Sequence, residues 1–425
     1  MTCPVRMRRT WVASAVLLAS TPAAPAAEFP EGIDYAVQVT SSVQRQSNPA
    51  RLPESSDQRR DASVMVNAIG LAAQVPLLSR DTRLDVAGTV ADARYSNSRQ
   101  LDHQPRSLNV DLRWRAGRLL DGSVGVRHEE QLNDLNRTYP QRDITKRQGL
   151  QAEAGVRVTE NLRLPVVTLF QNTVRYDNEG NRQLYDRDET GWQVSAFHTG
   201  LGRSFAQAGV RRTGVDYIRR NSSQATLLDN AYDDTESFVN VQWEYSPKTL
   251  VGARVGYLQR RYAHLEGRDT NLVTLDALAR WDYSPKTQFD LRLWRRPYAY
   301  DDNPDVLYAT ETGGRLAVRW RATPKISLGM GIERAVQKQD AVSGDSETVQ
   351  VLRYGPRLEW QPRDNLRWVL DFYRDRETAP TPQDSYDQVF VRLGVQYTYG
   401  DQGGTLRERL KSSECLYRRP EFDLC

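Results

Sequence analysis

Residues 238–249 read FVNVQWEYSPKT. Val239, Val241, Trp243 and Tyr245 hold one parity, and Asn240, Gln242 and Glu244 hold the other. A period of two places these sets on opposite faces of a β-strand. The strand runs into a tight turn whose proline suits a fixed φ. The segment recurs nearly whole at residues 273–287, VTLDALARWDYSPKT, and weaker copies end at Trp320-Arg-Ala-Thr-Pro-Lys325 and Trp360-Gln-Pro-Arg-Asp364. The turn prolines, Pro247, Pro285, Pro324 and Pro362, are spaced by 38, 39 and 38 residues. One period therefore holds two strands, one short connection and one long one. The pattern predicts an all-β fold, a transmembrane up-and-down antiparallel β-barrel of the bacterial outer-membrane type.

The alternation extends outward in both directions. Leu108, Val110, Leu112 and Trp114 alternate with Asn109, Asp111, Arg113 and Arg115, and Val124 and Val126 with Ser123, Gly125 and Arg127. Leu150 to Val158 alternates with Gln151, Glu153, Gly155 and Arg157. Two strands read less cleanly. Val64, Val66 and Ala68 are set on the apolar face, with a parity slip and bulge near Gly70. Leu164, Val166 and Phe170 form the apolar set of another strand, which Pro165 interrupts. Short turns fall near 80, 117, 160, 201, 247, 285, 324 and 362. Eight short turns separate nine hairpins, which predicts about 18 strands (range 16–18) with both termini on the short-turn, periplasmic side. Trp114, Trp243, Trp281, Trp320 and Trp360 lie on the apolar parity shortly before short turns, with Trp368 just after one, as an interfacial girdle requires.

By hydropathy alone the chain would read as soluble, and the barrel reading survives because of how the apolar residues are spaced. The chain has 425 residues and a mean hydropathy of −0.66. Beyond the N-terminus it has no run of about 18 apolar residues that could span a membrane as a helix. A barrel needs apolar groups only at alternate positions. Residues 1–27 have the form of a secretory signal, with Arg6, Arg8 and Arg9 before the apolar stretch Trp11–Ser20 and small residues at 24–27. The domains expected are thus a signal peptide at 1–27, a barrel at 28–399 and a periplasmic tail at 400–425. Processing would remove Cys3. Cys415 and Cys425 are left either to pair in an oxidising compartment or to stay as free thiols. Of 58 basic residues only six are lysine, so the cations of this chain are mostly planar, permanently charged guanidinium groups suited to carboxylates and phosphates.

Opposite the apolar parity lie Arg113, Arg115, Arg127, Arg157, Arg254, Arg280, Arg292, Arg315, Arg319, Arg321, Arg353, Arg357, Arg367 and Arg392. Interleaved acids include Asp111, Glu153, Glu244, Asp276, Asp290, Glu333, Glu359 and Asp371. Cross-strand ion pairs that tie the wall together are the ordinary reading of such a pattern. The functional reading is a hydrated lane that meets an anionic or hydroxyl-rich solute, since 16–18 strands enclose water. No segment is long enough for a plug domain, so a constriction is expected from a loop folded inward, with 131–146 and 219–234 as candidates. The four histidines, 103, 128, 198 and 264, are scattered, and no metal cluster, nucleophile elbow or phosphate loop is present. An enzyme is not expected, and neither a cofactor, a metal nor nucleic acid has a place in this reading.

Residues 389–399 alternate Val389, Val391, Leu393, Val395, Tyr397 and Tyr399. Arg392, Gly394, Tyr397 and Tyr399 resemble the outer-membrane β-signal, which implies recognition by the barrel assembly machinery. Residues 245–375 resemble the EpsL-type barrels of exopolysaccharide operons. The likeness lies in YSPKT…GYLQRRY…RDTNLVTLDALARWDYSPKTQFDLRLWRR, in WRATPKISLGMGIER and in YGPRLEWQPRDNLRWVLDFYRDR. That resemblance implies an outer-membrane component for passage of a secreted polysaccharide, working with periplasmic polysaccharide-export proteins in contact with outer-membrane lipid and lipopolysaccharide. It assigns no residue a role. A general or solute-specific diffusion porin is the alternative, and a barrel enzyme the second.

Overall fold

The computed structural model describes residues 33–57, 61–79, 82–133, 141–298, 306–341, 346–382 and 385–400, together with Leu406 and Leu410. The expected signal peptide and Cys415 and Cys425 lie outside the described residues. Eighteen antiparallel strands follow one another: β1 (Asp34–Gln46), β2 (Ala62–Ser79), β3 (Thr82–Tyr95), β4 (Arg106–Ala116), β5 (Leu120–Leu132) and β6 (Ile144–Arg157). Then come β7 (Leu162–Tyr176), β8 (Arg187–Thr199), β9 (Phe205–Tyr217), β10 (Ala231–Ser246), β11 (Thr249–Tyr262) and β12 (Thr270–Ser284). The series ends with β13 (Thr287–Tyr298), β14 (Val306–Arg321), β15 (Ile326–Ala341), β16 (Ser346–Arg363), β17 (Leu366–Thr378) and β18 (Tyr386–Tyr399). Each strand pairs with its sequence neighbours, and β18 pairs with β1 from Val37↔Tyr399 to Gln46↔Phe390, so the sheet closes. Closure is what lipid demands. An open edge would leave backbone groups without partners in hydrocarbon, at several kcal/mol each.

The repeated turn sequence makes a repeated turn. The Ser246 hydroxyl accepts from the Lys248 amide at 3.3 Å, and that of Ser284 accepts from the Lys286 amide at 3.2 Å and the Thr287 amide at 3.0 Å. Thr323 does the same for Lys325 and Ile326. Such a hydroxyl satisfies amides that a two-residue hairpin leaves over. The carbonyls of Lys248, Lys286 and Lys325 each accept at 2.7 Å from the next repeat, from Asp282, Arg321 and Gln361. The period of 38–39 residues seen in the sequence is thus a register bond as well as a spacing.

Outward positions carry the belt. Val241, Trp243, Val255, Trp281, Leu291, Leu316, Trp320, Met330, Trp360 and Leu370 all stand exposed on the wall. In a soluble protein so much open apolar surface would aggregate; around a closed barrel it is the lipid contact.

Two strands differ from the sequence reading. The pairing of β2 with β1 and β3 runs unbroken through Gly70, and its register shifts only at Pro76/Ser79. The outward set of β2 is therefore Met65, Ile69 and Leu71, all exposed. Val64, Val66 and Ala68 point inward and are buried with Ala91 and Ala93 of β3. In β7 the register shifts between Arg163 and Val166, around the cis bond Leu164-Pro165. Leu164, Val167 and Leu169 face out, whereas buried Val166 and ring-stacked Phe170 face in. Apolarity alone misled in both strands because part of the inner wall is itself covered.

Candidate functional site in the barrel lumen

The inward parity brings the arginines together as expected, and most find a carboxylate on a neighbouring strand. Arg254 meets Glu236 at 2.7 Å and lies 3.8 Å from the Phe238 ring centroid. Arg280 meets Asp290 at 2.7 Å, Arg292 meets Asp276 at 2.6 Å, and Arg357 meets Glu359 at 2.7 Å. Arg353 bridges Glu333 at 3.0 Å and Asp375 at 3.1 Å. Arg392 pairs with Asp371, and Arg157 with Asp121. Arg367 donates to Gln396 at 3.0 Å. Arg315 stands across from Arg292 and Glu333, and Arg319 across from Gln288 and Gly329. The half-exposed pairs among these, Arg280–Asp290 and Arg292–Asp276, add about 0–1 kcal/mol each. Their effect is to hold rotamers and set the sign of the lane.

The excess of cations concentrates in one place. A recess of about 670 Å³ opens along β4 to β7 and is lined by Arg83, Arg113, Arg115, Arg127, Arg157 and Arg163 against Asp111, Asp121 and Glu153. That is a formal excess of three positive charges. Asp85, buried behind Arg83 (3.5 Å) and Arg113 (3.4 Å), lowers it to two. Arg163 reaches both Asp121 at 2.5 Å and Glu153 at 2.9 Å. Arg127 is different. It lies between Asn109 and Gly149 in the register, is exposed to the recess, and has no carboxylate partner among the described residues. Gln151, Asn172 and Thr199 add uncharged hydrogen-bonding groups to the lining.

Sequence reasoning found Arg113, Arg115, Arg127 and Arg157 and missed Arg83 and Arg163. Arg83 was legible as the neighbour of outward Leu84. Arg163 was obscured by the parity break at Pro165. Also missed was Arg211, whose guanidinium lies 4.4 Å from the Phe170 ring centroid inside a second recess of about 360 Å³ along β8 to β13. Trp294 lines that recess too, and its indole donates to Glu311 at 2.7 Å.

At the end with the longer loops, the connection between β7 and β8, which was not among the expected candidates, folds onto the inner wall. It carries α1 (Glu179–Tyr185), capped by the Asn178 side chain. Leu184 and Tyr185 pack on inward Val174 and Tyr176 of β7, and Leu228 of the expected segment 219–234 packs against the same cluster. The two expected loops also brace it. Asp143 accepts from Asn133 at 2.7 Å and from Asn181 at 2.8 Å. Arg220 donates to the Leu184 carbonyl at 2.9 Å and stacks 3.5 Å from the Tyr217 ring centroid. Next to it, α2 (Ser222–Leu228) ends at Asp229. Burial would raise the Asp229 carboxyl, but donors from His264, Asn230 and Leu265 outweigh it and hold it at about 2. Burial pushes the Asp186 carboxyl up despite Arg219 at 2.9 Å, and burial pushes the His103 imidazole down. Among the described residues no group of His, Cys, Asp and Glu has the arrangement of a metal site.

Of the terminal motif, Arg392 faces inward to Asp371, Gly394 stands opposite Ser42, and Tyr397 and Tyr399 face lipid.

No family model matches the chain, and no curated protein matches it. Solved structures do. The outer membrane protein OpdK of Pseudomonas aeruginosa is similar at 9% identity with a TM-score of 0.50, covering 86% of this chain and 99% of that one. OccK2 (OpdF) of the same organism, solved in complex with glucuronate, is similar at 10% identity with a TM-score of 0.52, covering 87% and 99%. The fold is that of a bacterial outer-membrane porin. The chain is accordingly an outer-membrane barrel. Neither structure concerns an exopolysaccharide, and nothing in these comparisons supports the EpsL-type resemblance specifically.

Proposed function

We propose that this protein is a diffusion porin for small anionic solutes, with the arginine-lined recess on β4 to β7 as its selective element. This reading replaces polysaccharide export as the preferred one. The observation that carries it is the recess itself, above all Arg127, a guanidinium open to water with no carboxylate partner among the described residues. Inside low-dielectric walls a small excess of fixed charge is focused, and it raises the local concentration of counter-ions. A guanidinium also binds a carboxylate through two parallel N–H donors, which adds geometry to charge. Glucuronate, with which OccK2 was solved in complex, is a solute of this class, a hydroxylated carboxylate. The surrounding amides and hydroxyls would meet its hydroxyl groups.

The test is the reversal potential of the refolded full chain in a planar bilayer under a salt gradient. Anion preference is expected. Arg127→Glu should shift the reversal potential toward cations while leaving the heat-modifiable mobility of the folded barrel unchanged. Glucuronate should reduce the current of the parent more than that of the variant. Cation preference in the parent, or no conductance at all, would overturn the reading.

A further inference from the structure

The covered part of the inner wall has an occupant from this chain. Ala36, Ala72 and Ala87 stand directly across from one another on β1, β2 and β3. Their parity is opposite to that of lipid-exposed Val39, Leu71 and Val90, so the row faces the lumen. Leu406 and Leu410 pack on these three alanines and are 4% and 0% exposed. Both are helical. At Gly70, one step along the wall, an added Cβ would lie 2.9 Å from Cδ2 of Leu410 and 3.2 Å from the Thr89 hydroxyl. The wall is shaped to that leucine.

Gly400 directly follows the last strand, before these leucines. It has φ +92°, and an added Cβ would lie 2.7 Å from the Tyr35 carbonyl oxygen. Glycine accepts that conformation and that contact where other residues would not. The position lies beside β1, at the short-turn end of β18. A water-filled lumen gives no reason for a strip of alanine and valine on the inner wall, and the strip continues through buried Val64, Val66, Ala68, Ala91 and Ala93.

We propose that Leu406 and Leu410 dock inside the barrel against the β1–β3 wall and form a plug that narrows the pore from that side. On this proposal these two residues lie in the lumen, where the sequence reading had put a periplasmic tail. Apart from Arg83, which shares β3 with Ala87, the residues lining the arginine recess lie on β4 to β8, strands on which the two leucines do not pack.

The experiment uses the full chain with Cys415→Ser and Cys425→Ser. In that background Ala72→Cys with Leu410→Cys is refolded, its heat-modifiable mobility is verified, and it is treated with a short bis-maleimide. An intramolecular crosslink is expected, and none is expected when outward Leu71→Cys replaces Ala72→Cys. A second variant, Leu406→Glu with Leu410→Glu, should raise single-channel conductance about two-fold or more, because a lumen of 18 strands is wide enough to conduct once cleared. Absence of the crosslink in the folded barrel would overturn the proposal, and so would an unchanged conductance in the glutamate variant. The crosslink reads docking whether or not the barrel carries anions, so its failure is separate from failure of the porin reading.

Discussion

The wall of β4 to β7 and the wall running from β17 through β18 and β1 to β3 rest on the same alternation, but their inward residues differ in kind. The first presents Arg113, Arg115 and Arg127 to open water beside a recess of about 670 Å³. The second is almost wholly buried. Gln38, Thr40, Ala72, Thr89, Asp371, Gln388, Arg392 and Gln396 are each below one-tenth exposed. An ion pair on the open wall is screened by water and can be lost cheaply. An ion pair on the covered wall is not, because removing one partner strands a charge away from solvent. Similar pairs in one barrel should therefore differ several-fold in their worth, and the difference maps which side of the lumen is filled.

The largest expected effect tests that contrast at its covered end. Arg392→Ala leaves Asp371 buried, with only Arg357 at 3.7 Å to compensate. Refolded directly into detergent, the variant should lose about 3–5 kcal/mol in urea-gradient unfolding. A loss under about 1 kcal/mol would mean that this wall is as wet as the other.

Next in size is the rim. The folded Asp229 carboxyl sits at about 2, below its ordinary value of 3.8. A depressed acid contributes stability that is present above pH 4 and lost as pH falls through the range from 4 to 2. The contribution is on the order of 2 kcal/mol at neutral pH. Pepsin cleavage of the loop holding α2 should therefore accelerate between pH 4 and 2. In Asp229→Ala the loop should already be open to proteases at neutral pH. Cleavage that ignores pH in this window would remove the role assigned to the His264 and Leu265 donors.

The smallest effect is expected at an exposed pair outside the covered wall, between β12 and β13. Arg280→Ala deletes a pair with Asp290 in which the arginine side chain is 46% exposed. It should cost under about 1 kcal/mol in the same unfolding assay. Equal losses for Arg280→Ala and Arg392→Ala would erase the contrast between exposed pairs and those of the covered wall.

Much of this was legible in the chain and some was not. Strand spacing, the serine- and threonine-capped turns, the tryptophan girdle and the inward parity of most arginines all follow from neighbours within a few residues. So does the strand number, because each short turn announces itself locally. The inward faces of Val64 and Val66 were not legible, since an apolar residue on a barrel strand reads as lipid-facing unless something else covers it. Arg163 was hidden for a related reason: the register break at Leu164-Pro165 severed the alternation from which its direction would be read.

By itself the sequence determined a closed eighteen-stranded barrel with an apolar belt outside and guanidinium groups within. The physical reason is that a period of two sorts side chains between two solvents without reference to any distant segment. Only the tertiary structure decided which carboxylate each arginine meets, that α1 packs on the inner face of β7, and that Leu410 rests on Gly70 and Ala72. The pairings and the seat of α1 depend on how neighbouring strands lie side by side, and the seat of Leu410 on contact with residues far back in the chain, and no local pattern encodes them.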